Sequence, residues 1–310
     1  MDRKSVSVKS YANIAIIKYW GKADAEKMIP STSSISLTLE SMYTETKLTF
    51  LENAVADLMY IDDVEQGEKE LAKASKVLNL FRTNKSQYVK IETWNNMPTA
   101  AGLSSSSSGL SALVKAADDL FEAGKSQTEL AQIAKFASGS SSRSFFGPLA
   151  AWDKDTGEVF PVKTDLKLAM IMLVLNDKRK PISSRDGMKL CTETSTSFPA
   201  WIKQSEQDYK DMLGYLATND FEKVGQLTEA NALRMHDTTT TARPSFSYLT
   251  EKSYEAMEAV KKLRQQGERC YFTMDAGPNV KVLCLEEDLE RLANVLSKDY
   301  QVIVSRTKEL

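Results

Sequence analysis

The stretch that most limits what this chain can fold into runs from Tyr88 to Phe121. Tyr88-Val89-Lys90-Ile91-Glu92-Thr93-Trp94 alternates apolar and polar side chains, the period of a half-buried strand. MPTAAGLSSSSSGL follows at 97–110, made mostly of small residues. Beyond it Leu110, Leu113, Val114, Ala117, Leu120 and Phe121 recur at the spacing of one helix face. Strand, small-residue loop and helix in succession place the serines at a helix N-terminus. There, unpaired backbone N–H groups and the positive end of the helix dipole favour an anion. No Gly-Lys-Ser/Thr closes the loop as in a Walker A motif, and GxGxxG is absent. A solvated capping loop and a phosphate cradle both fit the local sequence.

The other periodicities mix strands and helices without a regular βαβ alternation, which is an α+β plan. Strands are expected at 5–8, 35–39 and 44–50, and a helix at 68–82 with Leu71, Ala74, Leu78 and Phe81 on one face. A helix at 127–137 and an apolar strand at 168–175 follow the serine loop. Helices are then expected at 187–197, 201–217, 221–233 and 247–266. Strands at 271–274 and 280–285 flank the turn Asp275-Ala276-Gly277-Pro278, and helix 287–296 and strand 300–304 complete the pattern. The pattern turns mostly helical beyond Lys180, so two domains are expected, 1–180 and 181–310.

Composition narrows the chemistry. A net charge of -2 gives no bulk attraction to nucleic acid or to an anionic membrane. No apolar run reaches the roughly 18 residues of a membrane span, and MDRKSVSVKS lacks a signal-peptide core, so a cytoplasmic protein is expected. The cysteines, Cys191, Cys270 and Cys284, are scattered and odd in number, which supports neither a disulfide framework nor a zinc knuckle. They are expected to be small buried hydrophobes. The single histidine, His236, excludes a multi-histidine metal site and is expected to be structural. Catalysis is left to Asp, Glu, Lys, Arg, Ser and backbone amides.

Four further stretches carry such groups. In Asn13-Ile14-Ala15-Ile16-Ile17-Lys18-Tyr19-Trp20-Gly21-Lys22, lysines interrupt an apolar run. They either face a polyanion or snorkel from an edge strand. Ser138-Gly139-Ser140-Ser141-Ser142-Arg143 is a second small-residue nest, or else a helix-ending turn with a surface arginine. Asp275 is either a plain turn residue or a carboxylate at the rim of a buried surface. Ile182-Ser183-Ser184-Arg185-Asp186-Gly187-Met188 is an N-cap or a ligand-facing turn.

Taken together and in order, NIAIIKYWGK, PSTSSISLTL, MPTAAGLSSSSSG, SGSSSRSFFG, SSRDGM and MDAGPNV resemble the mevalonate diphosphate decarboxylases of the GHMP kinase superfamily. The resemblance spans residues 5–285; YWGK together with DAGPN separates these decarboxylases from the sister kinases. Ser104 and Ser107 depart from the family pattern, where alanine is usual.

The resemblance implies a GHMP-kinase fold. Its N-terminal domain is like the second domain of a ribosomal protein, with a left-handed βαβ unit. Its C-terminal domain is ferredoxin-like, and ligands lie in the cleft between the two. It implies ATP as co-substrate, Mg2+, a homodimer, and decarboxylation of 5-diphosphomevalonate in the mevalonate pathway. By resemblance the ATP phosphates lie on Pro98, Ala101, Gly102, Leu103, Ser104, Ser105, Ser106, Ser107, Ser108 and Gly109, with Ser106 as metal ligand. The substrate is assigned to Tyr19, Trp20, Gly21, Lys22, Lys69, Ser138, Gly139, Ser140, Ser141, Ser142, Ser184 and Arg185. Asp275, Lys18, Arg143 and Asn13 are the implied catalytic set. A small-molecule kinase that phosphorylates and stops, and a silent nucleotide-binding regulator, are the rival functions.

Overall fold

The computed structural model describes residues 4–24, 26–97, 105–175 and 182–310. In chain order its elements are β1 (Ser5–Ile17), β2 (Lys22–Asp24), β3 (Ile29–Pro30), β4 (Ser34–Phe50), β5 (Leu58–Ile61), β6 (Val64–Glu65), α1 (Glu68–Leu78), β7 (Val89–Asn95), α2 (Ser105–Leu120) and α3 (Gln127–Ala137). A 3-10 turn at 139–145 leads to β8 (Leu149–Trp152), β9 (Val159–Pro161) and β10 (Leu168–Val174). The remainder is α4 (Ser184–Thr194), α5 (Phe198–Ala217), α6 (Phe221–Thr240), α7 (Glu251–Gln265), β11 (Cys270–Met274), β12 (Val280–Leu285), α8 (Leu289–Leu296) and β13 (Gln301–Arg306).

Two sheets organise the molecule. The larger runs β6-β5-β7-β4-β8-β9, with β1 also paired to β4; the smaller runs β11-β12-β10-β13. The two strands expected at 35–39 and 44–50 are one, β4. Its first half is buried on both faces while its second half alternates, and β1 shifts register opposite the change, between Tyr11 and Asn13. The irregularity lets one strand serve two environments, which breaks the alternation that sequence reading relies on. α6 likewise runs to Thr240 rather than ending near 233, and α4 starts at Ser184 because Ser183 caps it. β5, β6 and β9 are too short to carry a pattern.

Burial fixes the layers. α1, α2 and α3 cover one face of the larger sheet, with Ala74, Leu78, Leu113, Val114, Ala117 and Leu130 packed on Leu48 and Ile91. Its other face shares a core with the smaller sheet and α5, where Ile14, Ile16 and Leu37 meet Met170, Met172, Tyr209 and Leu283. α7 and α8 close the outer face of the smaller sheet through Ala256, Val260, Leu289 and Leu292. Each fully buried large aliphatic contributes about 1.5–3 kcal/mol. All three cysteines are free and buried, as expected of small hydrophobes. Among the described residues, no helix is long and apolar enough to cross a membrane.

Candidate active site

The site begins where β1 ends. The Lys18 amide donates to Asn231 Oδ1 at 2.8 Å, and Thr32 Oγ1 donates to the Lys18 carbonyl at 3.1 Å. Asn231 in turn donates to Asp208 Oδ2 at 2.8 Å, and Arg234 donates to the same oxygen at 2.6 Å. α5 and α6 thus grip the end of β1 and aim the Lys18 side chain. Its ammonium donates to the Ala15 carbonyl at 2.6 Å and to Asp275 Oδ1 at 2.8 Å. Only 1% of Lys18 is exposed, so it does not snorkel.

Asp275 follows β11 directly, at the rim of the smaller sheet. Its Oδ2 lies 3.2 Å from the Lys281 ammonium, supplied by the next strand, β12. Burial alone would raise the Asp275 carboxyl, but Lys18 and Lys281 overcome it and hold the group below the usual carboxylate range. Burial pulls Lys18 down to about 8 in spite of Asp275, and the Lys281 and Arg143 charges add to that fall. Lys281 was not among the residues expected from sequence. The signal was there: in VKVLCL a lysine interrupts an apolar strand, as Lys18 does in NIAIIKYW.

Arg143 sits in the 3-10 turn and is 2% exposed, so it is no surface arginine. Its Nε donates to Ser36 Oγ at 2.9 Å, Nη1 to Ser34 Oγ at 2.6 Å and Nη2 to Asn13 Oδ1 at 3.3 Å. Asn13 donates onward to the Ser140 carbonyl at 2.9 Å and to Ser144 Oγ at 2.8 Å. The guanidinium is therefore positioned by hydroxyls and an amide, and burial draws it down to about 10. Ser34 and Ser36 lie in PSTSSISLTL, but no pattern within that segment singles them out. They are found only through β4 pairing with β1 and β8.

The flanking segments are packed just as tightly. The Tyr19 ring lies against Trp152, centroids 4.9 Å apart, and burial pushes its phenol up to about 12. A Cβ on Gly139 would fall 2.7 Å from Trp152 Cζ3 and 3.0 Å from Tyr19 Cε1, so the nest needs glycine there. Gly21 has φ +107, and a Cβ there would fall 2.6 Å from Phe198 Cζ. The Trp20 indole is buried and donates to Thr238 Oγ1 at 2.9 Å. Lys22 is partly exposed, its ammonium lowered first by burial and then by the nearby Arg185, which is exposed on α4. Ser142 donates to the Gly139 carbonyl at 2.8 Å, and Ser141 is buried. Ser184 opens α4 one residue beyond its cap.

Among the residues expected to hold ATP, Pro98, Ala101, Gly102, Leu103 and Ser104 lie outside the described residues. α2 does begin at Ser105, as the strand–loop–helix pattern requires. Ser107 and Ser108 are buried in its first turns, and Ser108 Oγ lies 2.7 Å from Thr44 Oγ1. A Cβ on Gly109 would meet open space. Lys69 is exposed on α1, whose buried face packs with α2 rather than with the Lys18–Asp275 cluster. His236 is buried, and burial with the Lys18 and Lys281 charges holds its imidazole down to about 3, so it stays neutral.

Known proteins share this fold. Residues 10–160 match the family model of the diphosphomevalonate decarboxylase-like N-terminal domain, and residues 170–309 that of the mevalonate 5-diphosphate decarboxylase C-terminal domain. Diphosphomevalonate decarboxylase of Candida albicans is 31% identical over 96% of this chain and 88% of its own. The structure of mevalonate pyrophosphate decarboxylase from Streptococcus pyogenes is 66% identical, with a TM-score of 0.97 over 100% of this chain and 98% of that one. A structure of MDDEF in complex with MVAPP, AMPPCP and magnesium is 40% identical, with a TM-score of 0.91 over 98% and 97% of the two chains. The chain belongs to the diphosphomevalonate decarboxylase family, with its GHMP-kinase fold.

Proposed function

We propose how this chain's residues carry out its family's reaction, the ATP-dependent decarboxylation of (R)-5-diphosphomevalonate to isopentenyl diphosphate, carbon dioxide, ADP and phosphate. The observation that carries the assignment of roles is the buried cluster of Lys18, Lys281 and Arg143 around the Asp275 carboxylate. Buried positive charge in excess of its counter-charge calls for an anionic ligand, and diphosphomevalonate is a polyanion. Its diphosphate is held by Lys22, Arg185 and the amides of the Ser138–Ser142 nest, with Tyr19 and Ser184 beside them. Trp20 and Gly21 shape that segment through their packing. Arg143, aligned by Asn13, Ser34 and Ser36, holds the substrate carboxylate. Lys69, exposed on α1, is a further phosphate contact.

Asp275 accepts a hydrogen bond from the 3-hydroxyl and fixes its direction. The hydroxyl oxygen bonds to the γ-phosphorus of ATP as the bond to ADP breaks, and the hydroxyl proton is lost. Lys18 stabilises the charge on the phosphoryl group in flight. The C3–O bond then breaks with its electron pair leaving on phosphate. The electrons of the C1–C2 bond become the new alkene, and carbon dioxide departs. ATP phosphates are assigned to the loop 98–104 and to Ser105, Ser106, Ser107, Ser108 and Gly109 at the N-terminus of α2.

Magnesium accompanies ATP in this reaction. Ser106 would be its protein ligand, and the ion would neutralise charge on the phosphates. The chain is further assigned to the cytoplasm and to a homodimer. Its two domains are divided between β9 and β10 rather than near 180, because β10 pairs with β12 and β13.

The experiment is a stoichiometric assay with ATP, magnesium and 5-diphosphomevalonate. Carbon dioxide and phosphate should appear in equal amounts with ADP, whereas a kinase leaves a stable phosphorylated product. Asp275→Asn should lower kcat by roughly a thousandfold or more with little change in KM, since the group acts in the transition state. Near-normal turnover would sink its role.

A further inference from the structure

Lys281 is the feature the roles above leave unused. It is 0% exposed, and no ligand contact has been assigned to it. It belongs to the row Met172, Lys281 and Thr273 that crosses three strands of the smaller sheet. Met172 lies in the core shared with the larger sheet, and Lys281 sits on that same inward side. A lysine there is costly to desolvate, and a buried ion pair adds little stability over a hydrophobic substitute. Its geometry points instead to Asp275. Lys18 hydrogen-bonds Oδ1 at 2.8 Å, while the buried Oδ2 stands 3.2 Å from the Lys281 ammonium. The two oxygens thus face two cations from two sheets: Lys18 follows β1 and Lys281 is in β12.

We propose that Lys281 is a positioning residue: it anchors the inner oxygen of Asp275 and so fixes the rotation and the ionised state in which that carboxylate meets the substrate hydroxyl. With Lys18 alone, the carboxylate could turn about its Cβ–Cγ bond and either oxygen could take the ammonium. With Lys281 behind it, one orientation is held before the substrate arrives. Pre-fixed groups of this kind cost no reorganisation during reaction, and a misplacement of about 1 Å can cost about a hundredfold in rate. The inference rests on the role given to Asp275 above.

The test compares Lys281→Met with Lys281→Arg in steady-state assays across pH. Lys281→Met should lower kcat by about 10- to 100-fold, the scale of losses when a supporting partner is removed, with KM for both substrates changed less than about twofold. Removing a cation beside Asp275 destabilises its charged form, so the acid limb of the kcat profile should move to higher pH. Lys281→Arg keeps the charge and should leave that limb in place. In an Asp275→Asn background, Lys281→Met should cost little more, because it acts through the carboxylate already removed.

A folded Lys281→Met enzyme with wild-type kcat and an unmoved acid limb overturns the proposal. So does a loss confined to KM, which would mean ligand contact. If Lys281→Met does not fold, Lys281→Gln is read by the same criteria. The two claims fail separately. Normal turnover of Asp275→Asn removes the role of Asp275, whereas an inactive Asp275→Asn beside a normal Lys281→Met removes this inference alone.

Discussion

Lys18 shows how one buried side chain sets a pH dependence. Its ammonium titrates at about 8, because burial outweighs the attraction of Asp275; an ordinary lysine titrates near ~10.4. The folded protein thus holds that proton less tightly than the unfolded chain. Between the two values the unfolded state binds more protons, and the group's contribution to stability rises with pH. Activity runs the other way. Only the charged form attracts phosphate, so kcat/KM should fall as pH rises through about 8. Bound polyanion raises the lysine again, so the basic limb of kcat should lie at higher pH than that of kcat/KM. Profiles at constant ionic strength check this; coincident limbs would take Lys18 out of contact with the transferring phosphate. At this scale sequence was informative where burial contradicted residue type. Lys18 and Arg143 stand in small or apolar surroundings and could be picked out. Ser34, Ser36 and Asn231 could not, since their importance lies in what they touch across strands and helices.

Elements transmit position to these residues, and α6 is the clearest case. It carries Asn231, which holds the Lys18 amide, and it packs on β11, the strand that leads into Asp275. The spacing is set by Gly225, where a Cβ would fall 1.9 Å from Tyr271 Cδ2. Gly225→Ala should therefore destabilise by about 1–3 kcal/mol, as overpacking does, and lower kcat as α6 shifts Asn231. Gly214→Ala is the control: its Cβ meets open space on an exposed face of α5. That change should stabilise by about 0.5–1 kcal/mol through helix propensity. Thermal melts and kcat on both variants decide the matter; equal Tm values would show that Tyr271 yields freely. Sequence could not foresee the difference, because Gly225 and Gly214 both sit in helical periodicity and differ only in tertiary neighbours. Regular elements were legible for the same reason. α3 matched the expected 127–137, its start marked by the Ser126–Glu129 capping box. The register shift between β1 and β4 follows contacts from distant strands and left no local trace.

For the whole molecule the decisive relation is between the two sheets, since Lys18 comes from the larger and Asp275 and Lys281 from the smaller. Besides the shared core, a seam joins them. Thr307, just past β13, bridges to Leu39 of β4, the Lys308 amide donates to the Thr38 carbonyl at 2.8 Å, and the Ser41 amide donates to Ser305 Oγ at 3.0 Å. Gly147, in the link from the Arg143 turn to β8, lies under this seam: a Cβ there would fall 2.0 Å from the Lys308 carbonyl oxygen. That neighbour is backbone, so it cannot swing aside as a side chain would. Gly147→Ala should therefore lift residues 307–308 off β4. About 1–3 kcal/mol of stability should be lost, and hydrogen exchange at the Lys308 amide should quicken. Because none of the seam residues is assigned to the reacting groups, their chemistry should survive while the sheets are held less firmly together. KM for diphosphomevalonate, which Lys22 and Arg143 hold together with Arg185 of α4, should rise by more than kcat falls. A variant with protected Lys308 and unchanged KM would show that the shared core alone sets the cleft.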